Sequence, residues 1–192
     1  ARRGLVEALN GYHIEGVSTN IDFVTRVLCL QEFAEGNLHT GFIDQHFEGG
    51  RAKLSPPVQY LRLTALSATL IYHTRTVAVR KSLRHMVSEI GIKHDHGRPR
   101  RYMVRCQEDV FEIVLEEPPV SGQTCAIRAD GTLYKVEIPR FEFFRRRLKL
   151  NINGQDYRFR IRFHESFMFM SFNGVSRLFE VYTPKEWELM QF

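Results

Sequence analysis

Several small groups of residues in this chain are of types that do chemistry. His94-Asp95-His96, with His85 upstream, brings imidazoles and a carboxylate together as a metal pair would. A zinc site needs three or four ligands at workable spacing. No third ligand recurs here at a fixed interval, so a solvated polar loop is the simpler reading. Cys106 and Cys125 could act as thiolates only beside a histidine or a helix N-terminus. Both lie on alternating apolar stretches without such a neighbour and read as core residues. Glu116-Glu117, next to Pro118-Pro119, offers paired carboxylates, but the prolines mark it as a strand end and not an acid–base pair. The most basic stretch is Tyr157-Arg158-Phe159-Arg160-Ile161-Arg162-Phe163, where arginines alternate with apolar residues. With Arg128, Lys135, Arg140, Arg145, Arg146, Arg147 and Lys149 it makes a cationic surface. Such a surface suits a single-stranded nucleic acid, with Phe141, Phe143 and Phe144 as stacking residues. It equally suits acidic neighbours, phosphate groups, or plain solvent over the wet face of a sheet.

Those residues need elements to hold them. Leu5, Val6 and Leu9 read as the end of a helix over Arg3–Asn10, closed by Gly11. Tyr12–Glu15, before Gly16, reads as a short strand. Thr19 or Asn20 caps a helix carrying Phe23, Val24, Val27 and Leu28, and Thr40 caps one through Phe42, Ile43 and His46. Phe47–Lys53, with Gly49-Gly50, reads as a linker. From Ser55, an N-cap followed by Pro56 and Pro57, a long helix runs to about Ile90. Between Tyr60 and Tyr72 its apolar residues cover nearly the whole circumference, so it must be surrounded. Beyond that the apolar face narrows to Val77, Val79, Leu83, Val87 and Ile90. Gly91 ends it, and a basic loop comes next.

Period-two alternation then predicts eight strands: Met103–Cys106, Val110–Leu115, Cys125–Ala129, Leu133–Ile138, Leu148–Ile152, Tyr157–Phe163, Phe167–Phe172 and Val175–Tyr182. Asp130-Gly131, Asn153-Gly154 and Asn173-Gly174 supply the positive φ of type I′ turns. Eight successive antiparallel strands can close into a barrel, and the all-apolar helix fits inside it. Pro184–Phe192 is a further short helical pattern with Trp187 and Met190.

The 192 residues and net charge of +5 suit one medium domain, or one domain and part of another. Three cysteines point to reduced thiols and not a disulfide framework. The longest apolar stretch, Tyr60–Tyr72, is interrupted by Arg62 and falls short of the roughly 18–20 residues a bilayer requires. The opening Ala1-Arg2-Arg3, without an initiator Met, leads directly into a helical pattern and reads as part of a longer chain.

Two stretches carry a family likeness. Ala8-Leu9-Asn10-Gly11-Tyr12-His13-Ile14-Glu15-Gly16-Val17-Ser18-Thr19-Asn20-Ile21, joined by Gly36-Asn37-Leu38-His39-Thr40-Gly41-Phe42-Ile43-Asp44-Gln45-His46, resembles the C-terminal part of a biotin carboxylase domain. The remainder of the chain resembles the mediator (BT) domain of acyl-CoA carboxylase α-subunits of the propionyl-CoA and methylcrotonyl-CoA type. The resemblance implies an α+β, mainly β fold: an eight-stranded antiparallel barrel around a central helix, preceded by a small α/β tail. It implies domains at 1–50 and 51–192, with the helix at about 56–90, a hook loop at 91–101 and the barrel at 102–183.

It also implies that the segment is non-catalytic and holds no cofactor. The parent would be an ATP-dependent, carbon–carbon-bond-forming ligase using biotin, ATP, Mg2+ and bicarbonate. The Met-Lys-Met of a biotin attachment site does not occur in the chain. The implied partners are the carboxyltransferase β-subunit and the rest of the α-subunit, in a hetero-oligomer away from any membrane. The compartment would be the cytoplasm of a bacterium or the mitochondrial matrix of a eukaryote. The implied partner-binding residues are those of the hook: Gly91, Ile92, Lys93, His94, Asp95, His96, Gly97, Arg98, Pro99, Arg100 and Arg101. The arginine face would then meet acidic neighbours or the phosphates of coenzyme A. A basic nucleic-acid-binding barrel is the rival reading.

Overall fold

The structure, a computed structural model, describes residues 1–14, 16–86, 100–142, 145–164 and 167–191. Four short helices come first: α1 (Arg2–Gly11), α2 (Ile21–Leu28), α3 (Gln31–Glu35) and α4 (Phe42–His46). A two-stranded ribbon is next, β1 (Phe47–Glu48) with β2 (Arg51–Ala52), and then the long helix α5 (Val58–Met86). The remaining strands are β3 (Arg100–Cys106), β4 (Asp109–Leu115), β5 (Thr124–Ala129), β6 (Thr132–Glu137), β7 (Arg147–Ile152), β8 (Gln155–His164), β9 (Phe167–Phe172) and β10 (Val175–Tyr182). Helix α6 (Pro184–Leu189) comes last.

Strands β3 to β10 form one antiparallel sheet in sequence order. It closes on itself because β10 pairs with β3 as well as with β9. Three of the connecting turns obey local chemistry. Asp130 and Gly131 (φ 45° and 79°), Asn153 and Gly154 (53° and 80°), and Asn173 and Gly174 (49° and 74°) all adopt the left-handed conformation that a type I′ turn needs. The β3–β4 turn instead places Gln107 at positive φ (58°).

The interior is filled from both sides. Val104, Ile113, Ile127, Val136, Leu150, Phe159, Met170 and Phe179 point inward from the strands. Leu63, Ala65, Leu66, Ala68, Leu70 and Ile71 fill the centre from α5, in the same cluster. The helix also brings hydroxyls into this interior, and each closes onto its own helix. Thr64 donates to the Tyr60 carbonyl (2.7 Å), Ser67 to Leu63 (2.8 Å) and Thr69 to Ala65 (3.0 Å). Bonded in this way, a hydroxyl can be buried at little cost. Arg62 is the charged residue of this half and reaches Asp130 in the β5–β6 turn (3.3 Å).

Several expectations need correction. Helix α5 starts at Val58, so Ser55, Pro56 and Pro57 precede it and do not form its first turn. Its course beyond Met86, including Gly91, lies outside the described residues. Gly11 is within α1, and Tyr12 ends the helix with an extended backbone. Of the expected strand Tyr12–Glu15, Tyr12, His13 and Ile14 have no strand partner among the described residues, and Glu15 lies outside them. The linker at Phe47–Lys53 contains the β1–β2 ribbon, turned by Gly49 and Gly50 at positive φ (55° and 79°). Helix α3 is an addition to the elements expected from the sequence. Asn20 and Gly41 precede α2 and α4 without side-chain capping bonds. Phe42 is buried against Phe33 and His46.

Candidate functional site

The described residues nearest the expected hook are the last turns of α5 and the start of β3. Tyr72 and His73 mark the exit of the helix from the ring. His73 Nδ1 shares a 2.7 Å hydrogen bond with the Tyr102 hydroxyl, and Tyr72 meets the Tyr102 ring edge-on at 5.9 Å. Burial, helped by the charges of Arg100 and Arg80, pushes the His73 imidazole down to about 4. Burial pushes the Tyr102 phenol up to about 12. Both groups are therefore neutral at physiological pH, which suits a plug at the end of an apolar core.

Beyond the plug α5 turns amphipathic. A groove of about 390 Å³ runs beside it, lined by Tyr72, Arg75, Val79, Arg80, Phe163 and Phe167. Val79 is 51% exposed, and the Arg75 guanidinium lies over the Phe163 ring at 5.5 Å. The groove is thus an apolar strip rimmed by arginines.

The expected hook residues divide between the described and undescribed parts of the chain. Gly91, Ile92, Lys93, His94, Asp95, His96, Gly97, Arg98 and Pro99 lie outside the described residues, so the His94/His96 pair has no geometry to report. Arg100 and Arg101 belong to β3 and not to a loop: they pair with Leu115 and Val114 of β4. Arg101 also holds Glu112 at 2.9 Å. Two basic residues read as loop from sequence, but the long partner strand β4 extends the ladder over them.

The other chemical candidates resolve into structural roles. All three cysteines are free thiols. Burial raises Cys106 to about 11 and also raises Cys125, whose Sγ donates to the Glu117 carbonyl. Glu116 accepts from Arg128 at 2.9 Å, so the adjacent glutamates do not act as a pair. Phe141 packs against the core, while Phe143 and Phe144 lie outside the described residues. Among the described residues no group of three His, Cys, Asp or Glu side chains could hold a metal, and no helix is long and apolar enough to cross a membrane.

The basic face is less open than its sequence suggests. Strands β6 and β7 share only the pairs Val136–Ile152 and Glu137–Asn151, and a cleft of about 390 Å³ opens beside them. Arg140, Arg145, Arg147, Lys149 and Arg158 line it. Arg145 is paired with Glu142, Lys149 with Asp156, and Arg147 donates to the Gly11 carbonyl. On β8, Arg158 and Arg162 are exposed. Arg160 is ion-paired with Asp22 of α2, its side chain only 12% exposed. The α1–α2 segment covering it is the feature that sequence reasoning missed, because nothing in the local pattern tells one arginine of an alternating run from the next.

No family model matches the chain. Among curated proteins, it is 49% identical over 39 residues to the mitochondrial methylcrotonoyl-CoA carboxylase subunit alpha of Rattus norvegicus, covering 20% of this chain and 6% of that protein. It is 43% identical over 56 residues to the corresponding subunit of Dictyostelium discoideum, 29% of this chain and 8% of that protein. With a pyruvate carboxylase of Aspergillus terreus it shares 28% identity over 135 residues, 68% of this chain and 11% of that protein. The chain thus matches between 6% and 11% of the length of these relatives. These partial matches support a relation to biotin-dependent carboxylases.

Proposed function

We propose that the chain is a non-catalytic connecting segment of a biotin-dependent acyl-CoA carboxylase α-subunit, and that it joins the biotin carboxylase to the carboxyltransferase β-subunit. On this reading residues 1–50 end the biotin carboxylase domain and residues 51–192 form the mediator. The parent enzyme carboxylates biotin with ATP, Mg2+ and bicarbonate and passes the carboxyl group to an acyl-CoA. The observation that carries the reading is the division of α5. Its first half is sealed inside the closed sheet, while its second half emerges with an apolar, arginine-rimmed groove. A helix anchored at one end and presented at the other is suited to holding a partner at a fixed distance.

The test is co-elution of this chain with a carboxyltransferase β-subunit, repeated after residues 91–99 are replaced by a Gly/Ser linker. The expected result is a complex with the intact chain and none with the replacement, whose ring stays folded by circular dichroism. Co-elution that survives the replacement defeats the hook. Single-stranded RNA is run in parallel. Salt-sensitive RNA binding without carboxyltransferase binding would favour the nucleic-acid reading. The engagement of Arg160, Arg147 and Lys149 within the chain counts against that rival.

A further inference from the structure

We infer that the tip of the β9–β10 hairpin and the outer faces of β8 and β10 form a docking surface that grips the α1–α2 pair, so that the preceding segment and the ring move as one body.

Three contacts of different chemistry meet there. The first is a reciprocal amide pair. Asn10, only 3% exposed, accepts from the Asn173 backbone N–H at 2.9 Å and donates from Nδ2 to the Asn173 side-chain oxygen at 2.7 Å. One side chain thus satisfies both a turn amide and a turn side chain, 163 residues away in sequence.

The second contact is ionic. Asp22, in the first turn of α2, pairs with Arg160 of β8 and accepts from the Ser176 hydroxyl of β10 at 2.6 Å. A carboxylate at a helix N-terminus is favoured by the helix dipole, so Asp22 can serve both neighbours without strain on α2. The Arg160 Nε is buried without a hydrogen-bond partner among the described residues, so losing Asp22 would leave this guanidinium poorly compensated.

The third contact is steric. A Cβ built on Gly174 would lie inside contact distance of Arg26 N and Asp22 O, and 2.8 Å from Arg26 Cα. The hairpin backbone therefore rests directly on the backbone of α2, an approach only glycine permits. Arg147 adds a bond to the Gly11 carbonyl at the end of α1 (3.2 Å), and Arg2 ties α1 to the Leu28 carbonyl of α2 (2.6 Å).

The sequence supplies its own control. Gly154 has the same left-handed backbone (φ 80°) in the same kind of turn, and a Cβ added there would have nothing within 4 Å. Gly174→Ala and Gly154→Ala impose similar backbone strain, but only the first blocks the docking. Hydrogen–deuterium exchange on the intact chain reads the difference. The expected result is exchange about ten-fold faster in α1 and α2 for Gly174→Ala than for Gly154→Ala, with β4 and β5, which are remote from both turns, unchanged between them. Asn10→Ala leaves the ring sequence untouched and should release the same helices. Asn10→Asp removes the Nδ2 donor and sets a buried carboxylate against the Asn173 side-chain oxygen, and should release them as well.

Wild-type helices that exchange at unprotected rates overturn the inference. So does equal exchange in both glycine variants combined with no effect of Asn10→Ala. The measurement needs no partner protein, so its outcome is separate from that of the association reading above.

Discussion

The two halves of α5 have similar backbones and opposite surroundings. From Leu61 to Ile71 every residue except Arg62 is buried, whereas Arg75, Val79 and Arg80 are exposed. The first half buries small Ala65 and Ala68 and larger Leu66 and Leu70 alike, all completely. Its hydroxyls turn back onto the helix. The second half carries arginines and a single apolar strip. The comparison teaches that one continuous helix can be core along part of its length and open to solvent further on, with the His73–Tyr102 bond at the boundary.

The sharpest way to break this contrast is to remove volume from each half. Leu66→Ala should destabilise the ring by about 2–5 kcal/mol, because the surrounding strands cannot collapse into the space. Urea unfolding monitored by circular dichroism checks it; a loss near zero would mean the interior is loosely filled. At the boundary, pH is the probe. The folded His73 titrates near 4, below its ordinary 6.5. The unfolded chain therefore takes up a proton more readily, and the stability that neutral His73 contributes is complete above about 6.5 and lost as the pH falls toward about 4. The slope is up to about 1.4 kcal/mol per pH unit. Urea midpoints of wild type and His73→Gln, compared as the pH is lowered, should converge; parallel curves would mean the imidazole is not burial-shifted. The smallest effect belongs to the emergent half. Val79→Ser should change stability by no more than about 0.5 kcal/mol while weakening any partner that uses the groove, which urea unfolding and a binding titration on the same protein separate.

Much of the ring was legible because its signals are local. Alternation located all eight strands of the sheet, and three Asx-Gly pairs located three of the turns between them. The N-terminal segment was less legible for the same reason. Its elements are short, α2 and α4 lack capping bonds, and α3 and the β1–β2 ribbon depend on packing of Phe23 on Phe47 and of Phe33 on Phe42. Arg100 and Arg101 read as loop because strand length depends on a partner strand, which a local pattern does not contain. Of the expected binding residues, 91–99 fall outside the described residues, and the groove at Val79 and Phe167 was not anticipated. That groove needs α5 and β9 side by side, and no spacing in the sequence announces it.

The three Asx-Gly turns show the division most plainly. The sequence by itself determined that each would take a positive-φ pair, because sterics at the Cβ act within two residues. It determined likewise that the stretch from Tyr60 to Tyr72 had to be enclosed, because an all-round apolar surface cannot face water. Only the tertiary structure decided that Gly174 would rest against α2 while Gly131 and Gly154 stay open. It alone decided that Arg160, of three alternating arginines, would meet Asp22, and that β10 would find β3 and close the sheet. Those outcomes join residues far apart in the chain. Chain entropy opposes each such contact until the packing of the whole fold brings the two sides together.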